Sequence, residues 1–167
     1  LAKNVESLVK SSGVEIIKGT GKITGAGVVE VDTDGAKITI KADDIIIATG
    51  SQPIELPSLK FDEERVLSST GFLNMKELPG TIGVIGGGAI GCECAYILAV
   101  ARVKVTIIEM LGQILPQEDK IVAKTLENAL KKIGIEIVTG VKLDKTELRK
   151  DGISCTLNSG AQKVFER

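Results

Sequence analysis

The sequence predicts an α/β fold in which a short parallel sheet is combined with antiparallel β-meanders. An apolar strand at 81–85 turns on glycines into a helix, and a second apolar strand at 103–108 follows that helix. Short alternating segments joined by glycine-containing turns lie on both sides of this unit. Strands that alternate with helices favour parallel pairing, whereas strands joined by tight turns pair antiparallel. The two patterns together therefore predict a mixed sheet protein.

The first part of the chain predicts one helix followed by short strands. Apolar residues at helical spacing predict a helix over 1–10, which Gly13 would end. Asp34-Gly35 has the composition of a two-residue hairpin turn. The apolar run at 45–48 is typical of a buried parallel strand, and a turn-rich exit at 49–53 follows it. The other strands of this part are expected at 14–18, 21–24, 28–33 and 37–41.

The second part repeats this plan with a complete strand–helix–strand unit at its start. Residues 53–79 have weak periodicity and predict a connector, and we place the boundary at residue 70, which divides the chain into 1–70 and 71–167. Apolar spacing over 120–133 predicts an amphipathic helix that ends at Gly134. A strand at 135–138 and a second meander follow. The meander strands are expected at 142–150, 153–157 and 164–165, with turns at Asp151-Gly152 and 158–160.

Three glycines at the spacing Gly-x-Gly-x-x-Gly lie between the strand at 81–85 and its helix. They are Gly86, Gly88 and Gly91, and Glu109 closes the next strand. This order is the dinucleotide-binding fingerprint. The first glycine permits the turn, the second lets the backbone approach a pyrophosphate at the helix N-terminus, and the third lets the helix pack on the strand. The alternative is a glycine-rich turn that binds no ligand.

The acid at the end of the second strand indicates which dinucleotide the site would prefer. Glu109 can accept hydrogen bonds from ribose hydroxyls, and its charge would repel a 2′-phosphate. The stretch 109–116 contains no arginine that could hold such a phosphate. The sequence therefore predicts NAD rather than NADP.

Composition argues against several other classes of function. The 167 residues carry a net charge of −1, so neither nucleic acid nor an anionic membrane is an expected partner. The absence of histidine removes the commonest general base, and no metal-ligand cluster is evident. Cys92, Cys94 and Cys155 have no framework spacing, and Cys92 and Cys94 are expected to pack in the interior, with redox chemistry as the alternative. We therefore expect no catalytic residue in this chain.

Several ordered motifs resemble those of the flavoprotein disulfide reductases. They are Ile-Ile-Ala-Thr-Gly-Ser at 46–51, Ser-Ser-Thr-Gly at 68–71 and the glycine stretch at 84–93. The resemblance covers essentially the whole chain, as the middle third of a longer polypeptide. It implies a Rossmann-like FAD/NAD(P)-binding fold of the three-layer ββα type, incomplete at both ends.

The resemblance also implies two cofactor sites, for FAD and for NAD. Gly21 and the turn Thr49-Gly50-Ser51 match distal FAD contacts, and both are expected to be tight turns at strand ends. Val141 matches a position near the adenine, with an ordinary strand-start residue as the alternative. The positions implied for NAD are Gly86, Gly87, Gly88, Ala89, Ile90, Gly91, Cys92, Glu93 and Glu109.

The branch of the family that oxidises protein-bound dihydrolipoyl groups is the most similar. It exchanges hydride between NAD and FAD, uses a redox disulfide, and acts as a homodimer with the lipoyl-bearing component of a 2-oxoacid dehydrogenase or glycine cleavage complex. The cysteine pair and the histidine base would lie outside this chain, so the segment alone is expected to be inactive. Its compartment would be the cytoplasm in a bacterium or else the mitochondrial matrix. An NADH oxidase, a transhydrogenase and a non-catalytic NAD(H)-binding module are the alternatives.

Two residues of the glycine-rich helix carry further expectations from the resemblance. Glu93 would lie near the junction of nicotinamide and flavin, whereas the alternative is a solvated acid at a favourable helix start. Arg102 stands where the family usually has a glycine that turns the chain after the helix. Either the helix ends differently or Arg102 adopts a strained left-handed conformation.

Overall fold

The computed structural model describes residues 2–150 and 152–166 and contains two compact units, Leu1–Ser51 and Gln52–Arg167. The predicted boundary at residue 70 separates the part assigned to FAD from the part assigned to NAD, and it stays a prediction. Leu1, at the start of the predicted first helix, and Asp151, in a predicted turn, lie outside the described residues.

The first unit contains a helix and an antiparallel meander, as predicted. The left-handed φ of 77° at Gly13 follows the helix and confirms the predicted stop. Asp34 and Gly35 have φ values of 51° and 98°, and they close the hairpin whose last pair is Thr33 and Ala36. Positive φ at both central residues is the hallmark of the type I′ turn that this dipeptide predicted. The elements are α1 (Ala2–Ser11), β1 (Thr20–Gly25), β2 (Val28–Thr33) and β3 (Ala36–Lys41), in the order β1-β2-β3.

The strands predicted at 14–18 and 45–48 are not formed. Neither segment joins a sheet in the described chain, and Ile46 and Ile47 are 90% and 71% exposed. A strand is stabilised by a ladder of hydrogen bonds to a neighbour, so an apolar run without such a partner does not become one. The prediction failed because local sequence shows the apolar pattern but not the pairing.

The second unit is built on the predicted parallel sheet, with the strand–helix–strand order intact. Leu98, Ile107 and Ile114 are almost fully buried in its main core, and a second core forms around Ile108 and Leu157. The connector at 53–79 lies within this unit and contains a short helix capped by Ser68. The sheet has the order β4-β5-β6, from β4 (Thr81–Ile85), β5 (Lys104–Ile108) and β6 (Glu136–Val138). The helices are α2 (Ser69–Leu73), α3 (Ala89–Val100) and α4 (Lys120–Lys132), and the second antiparallel meander is β7 (Leu143–Arg149), β8 (Gly152–Leu157) and β9 (Gln162–Glu166).

Helices α3 and α4 end in the same backbone motif with different residues at the critical position. After α4, Gly134 at φ 92° follows the C-cap, and its N–H donates to Lys131 O at 3.0 Å. After α3, Arg102 takes that place at φ 67°, with its N–H on Ala99 O at 2.9 Å. The following N–H, of Val103, donates to Leu98 O at 3.0 Å, which completes a Schellman motif. The strained option foreseen for Arg102 is therefore the one that the chain adopts.

Exchange of Arg102 for glycine is expected to stabilise the protein by about 0.5–1 kcal/mol. Relief of the left-handed strain, roughly 1–2 kcal/mol, is partly offset by the greater freedom of glycine in the unfolded chain. Urea unfolding of Arg102→Gly measures the gain. Arg102→Ala is the control, because alanine keeps the Cβ and should give no comparable increase. A glycine variant no more stable than the alanine variant would show that this turn is unstrained.

A polar network ties the parallel sheet to the second meander. The Glu136 carboxylate accepts hydrogen bonds from Thr106 Oγ1 at 3.0 Å and from Lys163 Nζ. The bond from Lys163 holds the pKa of Glu136 below its ordinary value of 4.5. A carboxyl whose pKa is lowered by folding adds stability above its unfolded pKa and loses it as pH falls through the folded value.

Acidification below about pH 4.5 is therefore expected to remove the contribution of Glu136 to stability. The side chain is 51% exposed, so the effect should stay below about 1 kcal/mol. Unfolding midpoints measured across this range should fall less steeply for Glu136→Gln than for the unmodified protein. Equal slopes would mean that the carboxylate is solvated rather than held by Lys163.

Candidate functional site

The glycine turn joins β4 to α3 at the edge of the parallel sheet where the strands end. Gly86 has φ 105°, a conformation that L-residues with a side chain rarely adopt, and its N–H donates to Ile108 O at 2.9 Å. Gly88 is the N-cap of α3, and no side chain of the described chain caps it. The first N–H groups of a helix have no intrahelical acceptor, so this end of α3 attracts an anion.

The two other glycines of the fingerprint have opposite surroundings. A Cβ on Gly91 would fall on the carbonyl oxygen of Gly86 and would come 3.4 Å from Val84 Cγ1. The structure thus shows the close helix–strand packing expected of the third glycine. A Cβ on Gly88 would meet no atom of the described chain within 4 Å. Space beside Gly88 is therefore open where the sequence predicts a ligand.

Glu109 is buried at the end of β5 and is only 7% exposed. Its Oε2 accepts the N–H of Gly87 at 2.6 Å, and its Oε1 accepts the N–H of Leu111 at 2.7 Å. Sequence reasoning expected a ribose contact and missed these two bonds. The available signal was the parallel pairing predicted for the strand–helix–strand unit, because it puts the two strand ends side by side, as the pairing of Ile85 with Ile108 shows. Two ionised oxygens offer about four acceptor sites, so capacity for a ribose hydroxyl remains.

Gly87 is also held from its other side by the segment that follows Glu109. The N–H of Leu115 donates to Gly87 O at 2.7 Å. Ile114 lies so close that a Cβ on Gly87 would come 2.9 Å from its Cγ2. Sequence reasoning marked Gly87 as a site residue and gave no role to Ile114 or Leu115. No local pattern signals such a contact, since it depends on how the loop folds back.

The first turn of α3 presents both exposed and buried predicted residues. Ala89, Ile90 and Glu93 are exposed, whereas Cys92 is buried with its thiol 3.4 Å from Gly87 O. Burial raises the pKa of Cys92, and the charges of Glu109 and Glu93 raise it further. The thiol therefore stays protonated near neutral pH.

The three cysteines are free thiols, and Cys92 packs in the interior as predicted. Cys155 is buried as well, and Cys94 is half-buried. Burial raises the pKa of both groups, and the nearby Glu93 charge adds to the shift at Cys94. A raised pKa disfavours the reactive thiolate, which agrees with a packing role.

Val141 is the last predicted residue that the structure brings to this place. It is half-buried, and its N–H donates to Glu109 O at 3.2 Å. The N–H of Glu109 in turn donates to Val138 O at 2.8 Å. The ends of β4, β5 and β6 thus converge on Glu109.

The residues matched to FAD contacts lie in the first unit. Gly50 has a left-handed φ of 81°, but the structure forms no turn at Thr49-Gly50-Ser51, and Thr49 and Ser51 are exposed. Gly21 does not form a turn: it lies within β1 and pairs with Val31. That expectation was wrong because the glycine pattern there reflects a close approach at Gly19, whose Cβ would collide with Asp32 O. A role of these residues in binding FAD stays a prediction.

The described residues offer neither a metal site nor a membrane-spanning helix. They contain no group of three histidine, cysteine, aspartate or glutamate residues that could hold a metal ion. Among the helices described, none has the length and apolar character to cross a membrane.

Comparison with known proteins gives consistent matches along the whole chain. The pattern of the family described as pyridine nucleotide-disulphide oxidoreductase matches residues 1–166. Dihydrolipoyl dehydrogenase 3 of Pseudomonas putida is 39% identical over 167 residues, which are 99% of this chain and 36% of that protein. Dihydrolipoyl dehydrogenase of Geobacillus stearothermophilus is 41% identical over 162 residues, 97% of this chain and 34% of that protein.

Solved structures agree with this fold. LpdA from Mycobacterium tuberculosis superposes with a TM-score of 0.79 at 25% identity, over 98% of this chain and 37% of that one. The HOCl-induced flavoprotein disulfide reductase RclA from Escherichia coli gives 0.73 at 30% identity, over 98% and 37%. These neighbours confirm the predicted α/β fold with parallel and antiparallel sheets. The chain spans about a third of the length of the relatives that it matches.

Proposed function

The chain belongs to the pyridine nucleotide-disulphide oxidoreductase family, and from that membership we propose that it is the central part of an FAD- and NAD-dependent dihydrolipoyl dehydrogenase. The complete enzyme would pass electrons from protein-bound dihydrolipoamide through a redox disulfide and FAD to NAD+. The observation that carries the proposal is the glycine turn of Gly86, Gly88 and Gly91 closed by the buried Glu109.

The residues of the turn fit a dinucleotide. The uncapped start of α3 offers backbone N–H groups to a pyrophosphate, and the open space at Gly88 lets the phosphates come close. Glu109 retains acceptor capacity for ribose hydroxyls. Val141 lies beside Glu109, where it would pack against the adenine. When bound, NAD supplies the hydride acceptor. The remaining NAD contacts proposed are Gly87, Ala89, Ile90, Cys92 and Glu93.

Selection of NAD over NADP would follow from charge. The Glu109 carboxylate would repel a 2′-phosphate, and the loop up to Pro116 brings no arginine to neutralise one. Glu93 is exposed on the first turn of α3, a position proposed to face the junction of nicotinamide and flavin. Its role would be to orient the reacting rings, and we assign no catalytic residue to this chain.

The FAD contribution proposed for this chain comes from the first unit. Gly50 has a left-handed φ, and Thr49 and Ser51 are exposed beside it at the end of that unit. Exposed backbone N–H groups beside a left-handed residue can meet phosphate or ribose oxygens. Gly21 remains proposed on the family match alone, because its strand position differs from the expected turn.

The partners and compartment proposed follow the dihydrolipoyl dehydrogenases. The complete enzyme would be a homodimer that serves the lipoyl-bearing component of a 2-oxoacid dehydrogenase or glycine cleavage complex. It would work in the cytoplasm of a bacterium or in the mitochondrial matrix. The relatives described above that share the higher identity are dihydrolipoyl dehydrogenases, which favours this branch over an NADH oxidase or transhydrogenase.

Calorimetric titration with NADH and NADPH tests the proposed site in this chain. Saturable binding of NADH, with NADPH at least about tenfold weaker, is the expected result. Equal binding of both nucleotides would contradict the role of Glu109, and binding of neither would contradict the site. For the longer polypeptide, the assays are bound flavin and reduction of NAD+ by dihydrolipoamide. Flavin without dihydrolipoamide oxidation would point to another reductase of the family.

A further inference from the structure

We infer that Leu115 is a positioning residue for the nucleotide. Its backbone N–H binds the carbonyl oxygen of Gly87 and thereby orients the N–H of Gly88 toward the ligand. The inference rests on the proposed NAD site and adds to it a residue outside the fingerprint. Leu115 lies in the loop between β5 and α4, here called the clamp loop and defined as residues 110–119.

The clamp loop acts on the peptide group that joins Gly87 to Gly88. The carbonyl oxygen of this group accepts the N–H of Leu115 at 2.7 Å and lies 3.4 Å from the thiol of Cys92. The peptide is trans, so its N–H, which belongs to Gly88, points opposite to the carbonyl. The bond from Leu115 therefore turns this N–H away from the loop and toward the open side of the turn. Gly88 is exposed there.

Glu109 restrains the preceding peptide group of the same turn. Its Oε2 accepts the Gly87 N–H at 2.6 Å, so both sides of Gly87 are fixed by hydrogen bonds. These bonds have different tasks. Glu109 occupies the N–H of Gly87 as a hydrogen-bond acceptor, whereas Leu115 leaves the N–H of Gly88 available to a ligand and sets its direction.

Leu115 holds this position in an unfavourable backbone conformation. Its φ of 45° is left-handed, which costs a residue with a side chain roughly 1–2 kcal/mol. The surroundings enforce it: Ile114 is fully buried in the main core, and Leu115 O accepts the N–H of Glu118 at 2.9 Å. Backbone strain persists where the surrounding structure over-determines it, and such sites are often ligand clamps.

The chemistry that this arrangement recognises is the pyrophosphate of the dinucleotide. The Gly88 N–H lies at the positive end of α3, where phosphate oxygens are the favoured acceptors. Ligands that carry the pyrophosphate should therefore depend on Leu115. An adenosine without phosphates should not.

Two substitutions at Leu115 separate backbone position from side-chain packing. Valine keeps more apolar surface but is β-branched and strongly disfavoured at positive φ, whereas asparagine tolerates that conformation and loses the apolar contact. A packing role predicts that Leu115→Val binds better than Leu115→Asn. A backbone role predicts the reverse order.

The test measures dissociation constants of NADH, ADP-ribose and adenosine for the unmodified protein and both variants. We expect Leu115→Val to weaken NADH and ADP-ribose by about tenfold, with Leu115→Asn within about twofold and adenosine nearly unchanged in both. Leu148→Val is the matched control, an exposed leucine of β7 that should bind normally. Three outcomes would overturn the inference. The first is that Leu115→Val binds NADH and ADP-ribose as tightly as the unmodified protein, and the second is that Leu115→Asn loses as much affinity as Leu115→Val. The third is that adenosine loses as much affinity as the ligands that carry the pyrophosphate.

Two further measurements cover the remaining outcomes. If Leu115→Val does not fold, Leu115→Gly is measured in its place. Glycine keeps the backbone N–H and accepts the positive φ, so the inference requires Leu115→Gly to bind ADP-ribose as tightly as the unmodified protein. Binding of no nucleotide by the unmodified protein would refute the proposed NAD site. The Gly88 amide chemical shift of the ligand-free proteins then still decides, since the inference requires it to move in the valine variant and not in the asparagine variant.

Discussion

Replacement of Glu109 by alanine is expected to lower the free energy of unfolding by about 2–3 kcal/mol and to abolish NADH binding. The change leaves the buried N–H of Gly87 without its acceptor and frees that of Leu111. An unsatisfied buried donor costs about 1–3 kcal/mol, and bonds to a charged acceptor are stronger than neutral ones. The same deletion removes the proposed ribose acceptor, so stability and affinity should fall together.

Urea unfolding and NADH titration of Glu109→Ala and Glu109→Gln check this result. Glutamine keeps one oxygen acceptor and should lie between alanine and the unmodified protein in stability. Glu77→Ala is the control, because Glu77 is exposed and outside the turn. An alanine variant as stable as the unmodified protein would show that water replaces the carboxylate at Gly87. Glu109→Arg should resemble alanine rather than gain NADPH, since a buried guanidinium cannot accept either N–H.

Gly91→Ala and Gly88→Ala are expected to impair different properties, stability in the first variant and NADH affinity in the second. At Gly91 the new Cβ collides with the Gly86 carbonyl, so the turn must shift, at a cost of about 3 kcal/mol in stability. At Gly88 the Cβ meets open space and the φ of −70° suits alanine, so stability should change by less than about 0.5 kcal/mol. The Cβ at Gly88 would nevertheless occupy the proposed path of the phosphates, and NADH affinity should fall by at least about tenfold.

Thermal unfolding and NADH titration of the two variants separate these effects. Gly80→Ala, at a site before β4 where a Cβ also meets open space and φ is not left-handed, is the control for both. Normal NADH binding by Gly88→Ala would mean that the ligand does not approach there. A Gly91→Ala protein of unchanged stability would mean that α3 can move away from β4 at little cost.

The glycine turn was predictable from the sequence because its determinants are local. Gly86 and Gly91 are required by a conformation and a close approach that the strand–turn–helix order already implies. Arg102, by contrast, was noticed through the family resemblance and not from local sequence, and two conformations were left open for it. Elements whose evidence is a few neighbouring residues were therefore recovered well.

The parts that the sequence did not reveal depend on contacts between distant segments. The bond from Leu115 to Gly87 joins residues on different elements, and no periodicity marks it. The carboxylate of Glu109 was given a ligand as partner, although a backbone N–H lies within its reach. The apolar run containing Ile46 and Ile47 was assigned a strand that needs a neighbour to exist. The prediction was limited because the sequence shows the type of each residue but not which distant residue it contacts.

The hydrogen bond from Gly87 to Glu109, combined with the proposed ribose contact of Glu109, constrains how this protein could evolve a different nucleotide preference. A residue that only touched the ribose could be exchanged in one step, but Glu109 also fixes Gly87. Proteins tolerate only a few kcal/mol of destabilisation before the folded population falls. A single exchange at this position would therefore pass through a poorly folded ancestor. The accessible route begins with a permissive mutation elsewhere that first supports the turn, so the order of mutations matters as much as their identity.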